Sequence, residues 1–378
     1  MSNRLGRSKL LRASIASTCA LVSIASIGAT QQIMTSARAD LPVRVVRQEA
    51  FLTRVGGVER SGSLEFEIDH RNGFLTAVGA PSGLTFVLEA TRVIRFSGDG
   101  RPLGATGRQG AGPGEFRRLW RGCVIPGDTL VAMDNALARL TWIAPSGKLV
   151  RSLQSPSGGE LLESGCLGDG SIILHVPVSG NAGTRSREQL LRLFPNGTVA
   201  RLPVLFEAED IFATIRAPVG ISAVGKRIVV SDSRTNEISV YSERGTMLRR
   251  ITSRDRQIPL SDADVRKNSS LDSRDGAAVP RSRPIGPYTA PAFSDAVLSS
   301  TGEILLRERS TGRKESDVWT LLDSLGTPRA RIRLVLTGSP AFTRVLQLTA
   351  ERMFIMWRDH DGAAHFAWIA RPEAFTAN

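Results

Sequence analysis

Three acids sit at the ends of short apolar runs that recur far apart in the chain: Asp134 after TLVAM, Asp232 after RIVVS and Asp359 after FIMWR, with Glu308 in a similar place after EILLR. Oxygen donors brought together from separate strands are what a hard divalent cation such as calcium needs. Such a set could activate water or polarise an ester in a metal-dependent hydrolase. The competing reading is local. An Asp at a strand end caps its own turn by accepting backbone N–H groups, and that reading is preferred. The four histidines, His70, His175, His360 and His365, do not have zinc spacing. HDGAAH (360–365) reads as a solvated hairpin turn, and GISAVG (220–225) only approximates a Gly-x-Ser-x-Gly elbow.

A second stretch invites a chemical reading. GATGRQGAGPGEF (104–116) packs five glycines into thirteen residues. A phosphate-cradling loop would end Gly-Lys-Ser/Thr, but this one ends Gly-Glu-Phe, without a βαβ context. Its glycines are expected to permit positive φ in a structural link.

Cys123 and Cys166 remain once the N-terminal segment is set aside. They precede Asp128 and Asp169 at near-equivalent places in two successive repeats, CVIPGDTLV and CLGDGSIIL. They are read either as a bridge between neighbouring units or as two buried thiols, since spacing alone does not give the Cα separation.

The elements that must position these residues are strands. Turn glycines Gly100, Gly147, Gly197 and Gly245 are 47, 50 and 48 residues apart, and Gly326 follows 81 later. Ahead of them recur turn-led apolar runs: NGFLTAVG (72–79), GDTLVAMD (127–134), DGSIILHV (169–176), GKRIVVSD (225–232), TGEILLRE (301–308) and ERMFIMWR (351–358). Six strand-and-turn units of this period predict an all-β, six-bladed β-propeller of four-stranded antiparallel blades. The first repeat reads as complete from Ser63. VRVVRQEAF (43–51) is left over, and is expected to close the ring as the fourth strand of the last blade. The long interval before Gly326 holds an inserted loop, residues 254–291, with seven basic and five acidic residues. Loops of this length are functional or disordered. Tyr288, Arg281 and Arg283 are its candidate partner-binding residues.

The N-terminus has the order of a secretory leader: Arg4, Arg7, Lys9 and Arg12, an apolar run from Ala13 to Ala29, then TSARAD with small residues at Ala37 and Ala39. Cleavage before Asp40 is expected, leaving residues 40–378 as the propeller, periplasmic or secreted, with no transmembrane segment. An uncleaved, envelope-anchored form is the alternative. Loss of the leader's five basic residues lowers the net charge from +13 to +8. Lys occupies only five positions among 49 basic residues, and the basic residues are scattered with just two Tyr. That pattern argues against a nucleic-acid partner and points to compositional bias towards Arg.

The chain resembles NHL-type repeats and the related six-bladed propellers, including the TolB-like group, most of all exported bacterial members. GRQGAGPGEF (107–116) matches the turn that leads into a blade. GKRIVVSDSRTNEISVYSERG (225–245) matches the middle, with Asp232 and Asn236 at the family's Asp and Asn positions, and GDTLVAMDNALARLTWIAPSG (127–147) repeats it with Asp134 and Arg139. The resemblance implies the fold. Six-bladed lactonases among such proteins hold a divalent cation in the central channel. The function expected is a non-catalytic binding or scaffold module without a cofactor, serving a protein or envelope component. The alternative is a lactonase-type hydrolase with calcium at Asp134, Asp232 and Asp359.

Overall fold

The computed structural model describes residues 30–34, 41–48, 76–156, 164–179, 185–209, 219–232, 237–253, 258–260, 288–290, 293–308, 318–336, 342–358 and 364–375. It is an all-β, six-bladed propeller. Blade 1 comprises Thr76–Gly79, Thr85–Leu88, Val93–Phe96 and Pro102–Thr106. Blade 2 comprises Leu119–Ile125, Thr129–Asp134, Arg139–Ile143 and Leu149–Gln154. Blade 3 comprises Ser164–Cys166, Ile172–Ser179, Arg185–Leu193 and Val199–Glu209. Blade 4 comprises Val219–Val224, Arg227–Asp232, Glu237–Ser242 and Met247–Ser253. Blade 5 comprises Phe293–Leu298, Ile304–Glu308, Val318–Leu322 and Pro328–Leu336, and blade 6 comprises Phe342–Leu348, Arg352–Arg358 and Ala364–Ala370.

The glycine period has a physical basis in one repeated turn. In blade 1 the Gly100 amide donates to the Ser97 carbonyl at 2.9 Å, and the Ser97 amide to the Arg101 carbonyl at 2.9 Å. The same two bonds recur at Ala144/Gly147, Phe194/Gly197, Ser242/Gly245 and Asp323/Gly326. Each closing glycine has φ between 81° and 88°, which only glycine adopts without strain. The third strand slips register beside this turn in four of these blades, for example between Trp142 and Ile143, so the turn and its bulge form one device.

Six apolar clusters hold the ring, one at each junction of neighbouring blades. A second strand buried on both faces supplies both neighbours. Leu130 and Ala132 pack towards blade 1, while Val131 and Met133 pack towards blade 3. This explains why the second strands read as near-continuous apolar runs. Each fully buried Leu, Ile or Phe contributes about 1.5–3 kcal/mol. The sixth cluster joins Phe354, Met356 and Phe366 of blade 6 to Ala77, Val87, Ile94 and Phe96 of blade 1. Side-chain packing therefore closes the ring.

Two strand placements differ from the sequence reading. Val43–Gln48 does not complete blade 6. It runs parallel along Pro328–Leu336, as a fifth, outer strand of blade 5. Its V-R-V-V-R-Q pattern suits any open sheet edge. Arg331 selects this one, donating from one guanidinium nitrogen to the Leu41 carbonyl at 3.1 Å while others hold Glu308. Blade 6 has three strands among the described residues. Thr76–Gly79, at the end of the first recurring apolar run, is the innermost strand of blade 1, whereas the corresponding runs of the other blades form second strands; here Thr85–Leu88 is second. Two glycine-led apolar runs stand in tandem there, and period alone does not choose between them. Residues 63–75 lie outside the described residues. Within the segment read as leader, Thr30–Met34 runs parallel along Met247–Ser253 as an outer strand of blade 4.

Candidate functional site

The glycine-rich stretch is a link between blades 1 and 2. Its Arg108–Gln109 and Glu115–Phe116 segments pair in parallel. The Glu115 carboxylate accepts the Gly112 amide at 2.8 Å and Arg108 Nε at 2.9 Å. These bonds, the Gly112 amide first, hold its pKa below the usual carboxylate value. Arg139 reaches over from blade 2 to the carbonyls of Ala111 and Gly112 at 3.0 and 3.1 Å and to that of Glu115. A Cβ at Gly107 would lie 2.5 Å from the Phe116 ring, and φ there is 103°. The loop folds around its own glutamate, and the Gly112 amide that could have met a phosphate is taken by a carboxylate.

Two of the strand-end acids, Asp134 and Glu308, serve their own blades. Asp134 is fully buried. Its carboxylate accepts the backbone amides of Arg117 at 2.7 Å, Arg118 at 3.2 Å and Leu137 at 3.0 Å. It thus ties the end of the second strand to the link before the blade and to the turn after it. Glu308 accepts Arg331 at 2.7 and 2.8 Å and the Thr320 hydroxyl. Asp232 ends its strand opposite Glu237, the register place of Asp134 opposite Arg139; its side chain lies outside the described residues. Asp359 also lies outside them, one residue past the last strand position. Among the described residues no three His, Cys, Asp or Glu side chains form a metal-binding group.

His175 is buried at the junction of blades 3 and 4, near Phe206, with both ring nitrogens lacking a hydrogen-bond partner. Burial, then the charge of Arg121, push its pKa down to about 4. His365 stacks on Trp357 at 5.1 Å; His70 and His360 lie outside the described residues. In the insert, Tyr288–Ala290 pairs with Ile258–Leu260 in a two-stranded ladder, with Tyr288 opposite Leu260. Arg281 and Arg283 lie outside the described residues.

The innermost strands of all six blades wall a central channel of about 720 Å³, within the range of small-molecule sites. Cys123 and Cys166 lie in its wall as a disulfide joining blades 2 and 3, with Cα atoms 5.6 Å apart. Strand register places one residue from each of five blades at the same height. Thr76 is opposite Leu88, Arg121 opposite Met133, Gly220 opposite Ser231, Asp295 opposite Arg307 and Arg344 opposite Met356. Within this ring Arg344 pairs with Asp295 at 2.7 Å, and Arg307 stands 4.0 Å from the same carboxylate. The sequence reading missed Arg121, Asp295 and Arg344, because they fall in innermost strands that carry no motif. Arg121 and Asp295 share one mark of register: each faces the residue just before a strand-end acid, Asp134 and Glu308.

No family model matches the chain, and no curated protein matches it. Solved structures do. A protein from Bacteroides fragilis described as exported aligns at a TM-score of 0.52 and 10% identity, covering 90% of this chain and 99% of that one. A gluconolactonase from Xanthomonas campestris aligns at 0.43 and 14% identity, covering 79% and 87%. A streptogramin B lyase aligns at 0.39 and 10% identity, covering 79% and 84%. At these identities the likeness is one of fold, and the fold is the six-bladed propeller that the NHL-type and TolB-like resemblance implies. Among the described residues no helix is long and apolar enough to cross a membrane.

Proposed function

We propose that this chain is an exported, non-catalytic binding propeller that takes a small ligand in its central channel and meets a protein or envelope partner through the inserted loop. One observation carries the reading. Asp134, one of the three acids the sequence offers for a metal centre, spends its carboxylate on three amides of its own blade and link. A buried carboxylate satisfied in this way is a structural tie. The alternative, a calcium-dependent hydrolase of lactonase type, needs Asp134, Asp232 and Asp359 to converge.

A thermal shift on residues 40–378 decides between them. The binding reading expects no change in melting with calcium or chelator. Stabilisation by stoichiometric calcium, lost in an Asp232→Asn variant, would overturn it. Export and cleavage before Asp40 are checked by N-terminal sequencing of the protein recovered from the producing cells. For the insert, deletion of residues 261–287, between the two strands of its ladder, is expected to abolish partner capture from envelope extract and leave melting unchanged. Capture unaffected by the deletion removes Arg281 and Arg283 from the partner surface, and a Tyr288→Ala variant tests the third residue in the same assay.

A further inference from the structure

The outer edges of two neighbouring blades each carry an added strand, and both strands come from the N-terminal part of the chain. Val43–Gln48 covers blade 5 and Thr30–Met34 covers blade 4, each in parallel. In a chain cut before Asp40, blade 5 keeps its cover, whose approach is held by Arg331 on the Leu41 carbonyl at 3.1 Å. Blade 4 loses Thr30–Met34, and Val43–Gln48 is already committed elsewhere. Arg249 to Ser253 are then left without the ladder partner on their outer side. An open row of backbone N–H and C=O groups is a template for another strand.

Two side chains of that edge are short of acceptors. Arg249 gives one guanidinium nitrogen to the Ser324 carbonyl of blade 5, but its Nε is buried with no hydrogen-bond partner among the described residues. The Thr252 hydroxyl is buried in the same condition. Arg250, between them, is paired with Glu237 at 3.0 Å. Register sets Thr30 opposite Arg249 and Ile33 opposite Thr252. Residues paired across a ladder stand on the same face of the sheet. A carboxylate in the first of these places and an amide in the fourth would supply both acceptors, the first as a charge-assisted bond. Direction adds a constraint. Met247–Ser253 ends five residues before Ile258, where the ladder of the insert begins. A segment added in parallel therefore leaves blade 4 at the end from which the insert departs.

We propose that the outer edge of blade 4 is a strand-docking surface, uncovered by removal of the leader, and that its occupant is an extended segment of a partner protein with the pattern acid-x-x-polar. This rests on the reading of cleavage before Asp40. It adds to the insert a second contact for the same partner and gives the orientation of the bound segment.

The test is binding of labelled peptides to residues 40–378, followed by fluorescence anisotropy. The parent peptide is residues 28–36, GATQQIMTS. A peptide with Thr30→Glu and Ile33→Gln is expected to bind at least about tenfold more tightly than the parent, the ratio that one charge-assisted hydrogen bond gives. A Thr30→Lys peptide should bind no better than the parent. Arg249→Gln in the protein should remove the advantage of the Glu peptide, and Arg201→Gln, on the outer strand of blade 3, should leave it. If Arg249→Gln fails to fold, the Glu and Lys peptides carry the comparison. Adjacent residues of a strand point their N–H groups to opposite edges, so Gln31→Pro or Gln32→Pro must remove a ladder donor, and at least one should abolish binding. An uncleaved chain, made by Ala37→Leu with Ala39→Leu, keeps its own strand at high effective concentration and should bind the Glu peptide at least about tenfold more weakly.

Equal binding of the Glu and Lys peptides would overturn the acidic pattern, and binding of both proline peptides at parent strength would overturn strand addition. A dimer of residues 40–378 that the uncleaved chain does not form would make the occupant a second copy and overturn the partner assignment. N-terminal sequencing separates the remaining failures. A chain that starts at Asp40 and binds no peptide overturns this inference alone, and one that retains Thr30 overturns the cleavage reading with it.

Discussion

Replacing Asp134 by alanine removes the acceptor of three backbone amides at a site closed to solvent. The Leu137 amide, at 3.0 Å, belongs to the turn between the second and third strands of blade 2. The Arg117 and Arg118 amides, at 2.7 and 3.2 Å, belong to the link from blade 1. A hydrogen bond to a charged group is worth about 1.5–3 kcal/mol, and a buried donor left without one loses its solvation as well. The three bonds share one carboxylate and are not additive. Water entering the small cavity would recover part of the loss. The expected cost is about 3–5 kcal/mol, which at this chain length is a fall in Tm of roughly 4–7 °C. Asp134→Asn should lose less, because one oxygen still accepts while the amide nitrogen faces a donor. Denaturant unfolding with and without calcium is the assay. A cap gives the same loss in both conditions. A cost within about 0.5 kcal/mol of zero, typical of unremarkable surface substitutions, or one seen only with calcium, would refute the reasoning.

Other outcomes follow from the same contacts. Unfolded histidine takes its proton near pH 6.5 and buried His175 only near 4, so the unfolded chain binds the extra proton between those values. Stability is therefore full above about pH 6.5 and falls by about 3 kcal/mol as pH drops to 4; a His175→Leu variant should remove this component from the pH dependence of denaturant unfolding. Gly79→Ala places a methyl 2.1 Å from the Trp368 ring at the blade 6–blade 1 junction, and overpacking there should cost about 1–3 kcal/mol by the same assay. The bridge between Cys123 and Cys166 closes 43 residues. Replacing both by serine should cost about 4 kcal/mol in the chain-entropy description, measured against the oxidised protein in denaturant.

The architecture was legible because it repeats. Turn glycines at near-constant spacing, each followed by a strand, reflect one backbone device used in five blades, and a backbone device of that kind restricts residue type directly. The cap at Asp134 was legible for the same reason: its carboxylate meets amides within its own blade and the link just before it. The channel ring was not legible. Arg121, Asp295 and Arg344 come from blades 2, 5 and 6, and nothing local marks them, since an innermost strand tolerates many residue types. The position of Val43–Gln48 was also open, because an alternating strand fits any free edge, and a contact 290 residues away, from Arg331 to Leu41, decides it.

By itself the sequence determined the elements: strands from apolar runs, turns from glycine, blade number from period. Those depend on interactions within a few residues of the chain, where residue type and conformation are coupled directly. Tertiary structure alone decided which side chains meet between strands and between neighbouring blades. It set Asp295 between Arg344 and Arg307, brought the two cysteines together in the wall, and closed the ring through Phe354, Phe366 and Ile94. Those meetings depend on the register and stacking of six sheets at once, a geometry that no single repeat encodes.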